Sequence, residues 1–275
     1  MDELSNMCLK HNMPRYQINA FSNFLCDTVF DGKDVLEVGG SALPRELTLN
    51  FLNAKSWTCV DILDEGSYQK DKYNDHYKNE FVYKLSEAHP SHIENDYTIY
   101  DGNIENASKL EFRKFDIIVS ITSFEHILAM PQALIQMKAL LKEGGVILTH
   151  HGPVWSCFCG HHAWISQTLN FNSEGIIPDF AHLLYRPPEF YRIMESRIGS
   201  ELAGQLMLQV YNEPRVNRYF YEDYISFFEN SGFTKVEYSP YFEREVSAEL
   251  LTRLMELHPG YQNFSAYGMY AKLTK

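Results

Sequence analysis

The chain has 275 residues, 45% of them hydrophobic and 14% aromatic, with 24 Lys and Arg against 36 Asp and Glu for a net charge of −12. That is enough apolar material for a substantial core, in one large domain or two small ones. The acidic balance, with no run of Lys and Arg, argues against a sequence-wide nucleic-acid or anionic-membrane surface. No apolar run approaches the roughly 20 residues of a membrane-spanning helix, and Met1 to Lys10 does not read as a signal peptide. Five scattered cysteines, Cys8, Cys26, Cys59, Cys157 and Cys159, are then expected as reduced thiols in a cytoplasmic protein.

Residues 1–31 read as largely helical. Tyr16, Ala20, Phe24 and Leu25 recur at three- and four-residue steps until Asp31-Gly32 breaks the pattern. This segment is expected as a cap leaning over the ligand end of a sheet. Lys33 to Ser41, K-D-V-L-E-V-G-G-S, follows. A short apolar run closed by Gly39 and Gly40 reads as a buried parallel strand, 34–38, that stops in a tight turn. Leu43 to Asn53 has helical character, so the unit is strand, glycine turn, helix, where nucleotide-like ligands sit in open α/β sheets. The pair lacks G-x-G-x-x-G spacing, so a pyrophosphate cradle is not indicated.

Trp57 to Ile62 is a β-branched-rich run ending near Asp61, about 20 residues past the glycine turn, where an acid can accept two ribose hydroxyls. Asp64 and Glu65 compete for that role, and all three could equally be solvated loop acids. Residues 63–96 are polar, rich in Tyr, Lys and His, and long for a connection. A short strand at 97–100 precedes Asp101-Gly102-Asn103-Ile104. F-D-I-I-V-S-I at 115–121 is a strand covered on both faces. A helix at 129–142, with Pro131 near its start and Gly144-Gly145 after its end, leads to a strand at 146–150.

Residues 152–220 break the rhythm with Trp155, Trp164, Pro187-Pro188, His151, His161, His162 and His182 in and around them, and read as an inserted helical lid. A helix at 222–230, with Tyr224, Phe227 and Phe228 inward, is stopped by Gly232. Strands at 234–239 and 266–273, with a helical insertion at 247–257 between them, close the chain, and the last could add as an antiparallel edge.

In this order and spacing, V-L-E-V-G-G-S, C-V-D, D-G-N-I-E-N, F-D-I-I-V-S-I-T-S-F-E-H-I and L-L-K-E-G-G-V-I-L-T make the chain resemble the class I S-adenosylmethionine-dependent methyltransferases. The resemblance covers about residues 33–150, and more loosely 222–275, where E-D-Y-I-S-F-F-E-N-S-G-F-T-K-V-E is similar to the family's closing helix and strand. It implies an α/β, Rossmann-like three-layer sandwich: a seven-stranded, mostly parallel sheet with an antiparallel last strand, plus the helical lid insertion. Residues 1–275 would form a single methyltransferase domain, with 1–31 as its cap and 152–220 as its lid. Glu37, Gly39 and Gly40 would line the methionine half of S-adenosylmethionine, and Asp61 would hold the ribose hydroxyls. Asn103 stands where the family usually has an Asp for the adenine amino group, with the Ile104 amide beside it. An Asn carbonyl can accept the same bond, and Asp101 is the alternative. Ser120 would help place the cofactor's amino group and the reacting methyl. The family's usual third glycine is replaced here by Ser41-Ala42-Leu43.

Methyl transfer requires a nucleophile aligned with the methyl group and, for an oxygen nucleophile, a group to take its proton. Histidine suits that role near neutral pH. Two groups qualify, Glu125-His126 after the fourth expected strand and His150-His151 with His161-His162 after the fifth. His126, His151, His161 and His162 are the catalytic candidates, although His126 could only pack or tie its loop. Cys157-x-Cys159 with His161 and His162 is one crowded knot, unlike the two separated ligand pairs of a zinc site, and no metal is expected. Trp155, Trp164, Tyr185 and Arg186 are the acceptor-binding candidates: aromatics can box a cationic amine, and guanidinium suits phosphate or carboxylate. An aromatic core and surface ion pairs are their structural alternatives. W-S-x-x-x-G-H-H at 155–162 is similar to an element of methyltransferases in bacterial surface-glycan and small-metabolite pathways. The expected acceptor is therefore a small polar molecule, methylated on oxygen or nitrogen, with no nucleic-acid or membrane partner and with monomer and homodimer both open. A NAD-dependent oxidoreductase is the alternative enzyme, disfavoured by the missing G-x-G-x-x-G. A cofactor-binding subunit without catalysis is the alternative of another class.

Overall fold

A computed structural model of the chain describes residues 3–39, 43–63, 80–173 and 175–275. Among the described residues there are ten strands: β1 (Asp34–Val38), β2 (Ser56–Asp61), β3 (Phe81–Lys84), β4 (Tyr97–Asp101), β5 (Phe115–Ile121), β6 (Leu141–His151), β7 (Trp164–Ser166), β8 (Leu169–Asn170), β9 (Lys235–Glu243) and β10 (Ala266–Thr274). Eight form one sheet in the order β3-β4-β2-β1-β5-β6-β10-β9, and β7 and β8 pair separately. The first six run parallel, while β10 lies antiparallel to both β6 and β9. From β1 the chain steps outward to β2 and β4, then returns to β5 on β1's other side. That reversal is a topological switch point, where strand carboxyl ends splay and leave a crevice.

β1 alternates its side chains between two apolar layers, as a strand with both faces covered must. Val35 joins a core with Phe21, Phe24, Phe30 and Trp57, and Leu36 joins one with Phe115, Ile118, Met137 and Phe228. Helices α1 (Glu3–Lys10) and α2 (Arg15–Asp27) pack in the first layer. Helix α3 (Met130–Leu140) packs in the second with the helix at Tyr221–Glu229.

A third core belongs to the insertion. Helices α4 (Ala181–Leu184), α5 (Pro187–Ile198) and α6 (Ser200–Asn212) bury Phe190, Met194, Ala203, Leu206 and Val210 against one another. Phe220, just before α7 (Tyr221–Glu229), joins the same cluster, as does Leu254 of α8 (Ala248–Leu257). Among the described residues, no helix is long and apolar enough to cross a membrane.

Three expectations change. The sheet has eight strands, because Phe81–Lys84 inside the long polar segment adds β3 to the edge beside β4. The last strand is antiparallel as expected but interior: β10 lies between β6 and β9, and β9 is the edge. Leu43 to Asn53 holds a π-helical turn at Glu46–Phe51 where a longer helix was anticipated.

Candidate active site

The switch point begins with a buried acid. Glu37 accepts the Trp57 indole N–H at 2.7 Å and the Leu43 amide at 3.0 and 3.2 Å. A buried carboxylate must be met by donors, and these bonds tie β1 to Trp57 of the neighbouring strand and to Leu43. Gly39 has φ of +65° and donates its N–H to the Val60 carbonyl at 2.8 Å. A Cβ there would lie 2.4 Å from Ser123 Oγ, so sterics and conformation both demand glycine. Gly40, Ser41, Ala42, Asp64 and Glu65 lie outside the described residues.

Asp61 and Asp101 end adjacent parallel strands in register. Asp61 Oδ1 accepts the Ile62 amide at 2.8 Å, and Asp101 accepts the Leu63 amide at 3.0 Å and pairs with Lys84. Asn103 caps the turn at Ile104–Leu110 by accepting the Glu105 amide at 2.9 Å, and Ile104 is buried behind it. Ser120, fully buried on β5, donates to the Val38 carbonyl at 2.9 Å and binds the end of β5 to the end of β1. Glu37, Gly39, Asp61, Asp101, Asn103 and Ser120 thus stand at or next to the carboxyl ends of β1, β2, β4 and β5.

The turn after β5 forms the second half. Thr122 takes a positive φ of 47°, uncommon for a β-branched residue, and its amide donates to the His150 carbonyl at 2.8 Å. Beyond it, Glu125 is buried. Its Oε1 accepts the Gly152 amide at 3.3 Å, while Oε2 has no hydrogen-bond partner. Burial pushes this carboxyl up to about 8 from the ordinary 4.5, because the charged form loses its hydration.

His126, the next residue, is exposed. Its Nδ1 donates to the Arg215 carbonyl at 2.9 Å, which leaves Nε2 as the acceptor of the neutral ring. Asn217 clamps the whole turn: its Nδ2 donates to the carbonyls of Phe124 and Ile127 at 2.7 and 2.8 Å, and its amide donates to Glu125 O at 2.9 Å. Asn217 and Ser123 were not anticipated from the sequence. A lone Asn before a helix and a Ser after a strand carry no spacing signal.

Of the other candidate histidines and their neighbour His182, His150, His151, His161 and His182 are buried and His162 is half-buried. His150 stacks on Tyr241 with ring centroids 3.9 Å apart, which is possible because Gly268 leaves β10 open beneath that ring. His151 points to the opposite face, against Phe124 and Tyr224. His162 donates Nε2–H to the Pro153 carbonyl at 2.5 Å and lies edge-on to His126 at 5.5 Å. His161 accepts the Ala163 amide at 3.2 Å and lies 5.5 Å from His182, which donates to the Trp155 carbonyl at 2.8 Å. Burial holds His150 down to about 4 and His151 and His162 down to about 3, so all three are neutral at pH 7.

The expected acceptor residues fall into two places. Trp155 is buried under the Arg218 guanidinium at 5.2 Å and beside His182. Trp164 and Tyr185 are tied to α6 through Gln209 and Tyr211, and Arg186 is exposed at the start of α5. Cys157 and Cys159 are free, buried, and 3.9 Å apart at sulfur.

Three comparisons bear on this arrangement. A family model described as "Methyltransferase domain" matches residues 9–197. No curated protein matches the sequence. Among solved structures, an S-adenosylmethionine-dependent methyltransferase from Mesorhizobium loti is similar with a TM-score of 0.50 at 9% identity, over 93% of this chain and 96% of that one. A methyltransferase of the same dependence from Archaeoglobus fulgidus is similar with a TM-score of 0.50 at 12% identity, over the full length of both. At such identities the likeness is one of fold.

Proposed function

This chain belongs to the class I S-adenosylmethionine-dependent methyltransferases, and on that premise we propose that it methylates an oxygen or nitrogen atom of a small polar acceptor such as a phosphorylated amine, a sugar or a related metabolite. The observation that carries the reading is the gathering of Gly39, Asp61, Asp101 and Ser120 at the switch point, directly beside the Ser123–His126 turn.

The donor set there fits S-adenosylmethionine. Gly39 brings bare backbone to the ligand end, Asp61 offers a carboxylate at the end of β2 for ribose hydroxyls, and Asp101, Asn103 and the Ile104 amide flank the adenine position. Glu37 anchors the turn around the methionine half. Gly40 belongs to the same proposed cradle, as does Ser120. When bound, the cofactor supplies an electrophilic methyl group on a sulfonium.

His126 is the leading base in this reading. It is exposed, its tautomer is set by the Arg215 carbonyl, and Nε2 is left as an acceptor to take a proton from the acceptor's nucleophile. His162 lies edge-on to it as the second candidate, and His151 and His161 support the walls. Residues 152–220 act as the lid of a single domain and residues 1–31 as its cap, with Trp155, Trp164, Tyr185 and Arg186 on the acceptor side. A small-molecule acceptor suits the acidic chain better than nucleic acid does.

The test is a screen of phosphorylated amines and sugars, with formation of S-adenosylhomocysteine as the readout. Turnover on at least one, lost in His126→Ala, is the expected result. Cofactor binding with no turnover on any acceptor would point to a non-catalytic subunit and contradict the proposal.

A further inference from the structure

The buried carboxyl of Glu125 is at odds with its surroundings. Its Oε2 has no partner, and among the described residues no basic side chain offsets it. The groups that face it are aromatic and polar. Tyr224 from α7, Tyr241 from β9 and Tyr267 from β10 all sense its charge, and His150 and His151 of β6 flank Tyr241 and Tyr224. His126 follows it in the chain, and Tyr16 of α2 couples electrostatically to Tyr241. The geometry centres on Gly152, whose amide donates to Oε1. A Cβ on Gly152 would lie 3.1 Å from the Tyr241 hydroxyl and 2.9 Å from the Tyr267 carbonyl. The carboxyl and the half-buried tyrosines therefore meet across a residue that keeps no side chain between them.

Once ionised, a carboxylate oxygen among aromatic rings is acceptor-only and complementary to a group that carries only donors and a positive charge, an ammonium. A hydroxyl would leave the carboxyl protonated and form no ion pair with it. Resting on the methyltransferase reading above, we propose that the acceptor carries an amino group and that Glu125 is the specificity-determining residue that holds it as an ammonium. The proton balance follows. In the free protein at neutral pH the carboxyl is mostly protonated, so capture of the ammonium breaks the Glu125 O–H bond and releases that proton to solvent. The product is a carboxylate–ammonium pair.

The test is calorimetry on the full chain saturated with S-adenosylhomocysteine at pH 7, in buffers of different ionisation enthalpy. The probes are ethanolamine, glucosamine and their phosphates, each beside the compound with hydroxyl in place of the amine. The proposal expects at least one amine to bind with release of about one proton, and its hydroxyl counterpart to bind weaker on the order of tenfold or more. Glu125→Gln should lose both the preference and the proton. The wild-type proton count stands by itself should that variant fail to fold. Hydroxyl compounds binding as well as amines, no amine binding, or amine binding without proton release would overturn the assignment. Failure of S-adenosylhomocysteine itself to bind would instead overturn the methyltransferase reading.

Discussion

Glu37 and Glu125 are two buried acids a few residues from opposite sides of one crevice, and they differ in what meets them. Glu37 accepts an indole and a backbone amide, so its carboxylate is neutralised by fixed dipoles. Glu125 receives one long amide bond on Oε1 and nothing on Oε2. The consequence is a measurable pH dependence. Its folded value of about 8 lies above the ordinary 4.5, so the native state holds a proton that the unfolded state has lost between those pH values. Stability from this group is full below about 4.5 and is lost as pH rises through about 8. The loss is on the order of a few kcal/mol. Glu125→Gln keeps the shape without the titration, and its melting temperature should fall less than the wild type's between pH 6 and pH 9. Equal falls would show that the carboxyl is not neutral in the native protein.

At the scale of elements, the turn at Phe124–His126 is held by a segment from the far end of the insertion. Asn217 Nδ2 closes two carbonyls of that turn, and its own Oδ1 accepts the Tyr224 hydroxyl at 2.9 Å. Asn217→Ala would leave buried acceptors unmet at a cost of about 1–3 kcal/mol. Urea unfolding should register that loss, and turnover should drop more than cofactor affinity, because the displaced residues are Glu125 and His126. An unchanged rate would mean that the turn is positioned by β5 alone. The two halves of the site differed in how well they could be read. β1 and β5 announce themselves as apolar runs because both faces of each are covered. β3 does not: Phe81-Val82-Tyr83 is only three apolar residues long, lies at a sheet edge with Phe81, Val82 and Lys84 exposed, and is embedded in a polar stretch, so it shows no alternation. That Asp61 ends a strand was legible from the β-branched run before it. Ser123, Asn217 and Gly268 were not, since their roles arise from contacts between residues far apart in the chain.

For the whole molecule, the histidines once considered as a catalytic group are mostly interior polar residues of the sheet and the insertion. His150, His151, His162 and His182 are held at about 3 to 4, below the ordinary 6.5, by burial. Their neutral forms stabilise the fold above about 6.5, and that contribution is lost as pH falls through about 4. Acid unfolding should therefore begin below pH 6 with uptake of several protons, and His182→Gln should move the midpoint to lower pH. A midpoint that stays put would place the titration elsewhere. The insertion carries its own apolar core, yet it supplies the clamp on the turn beside the switch point, so insertion and site share one structure. The central claim is that the crevice between β1 and β5 binds S-adenosylmethionine. Titration calorimetry with S-adenosylhomocysteine measures it directly: the wild type should bind, with affinity sharply reduced in Asp61→Ala and abolished in Gly39→Arg, whereas no binding by the wild type, or equal binding by all three, would contradict it.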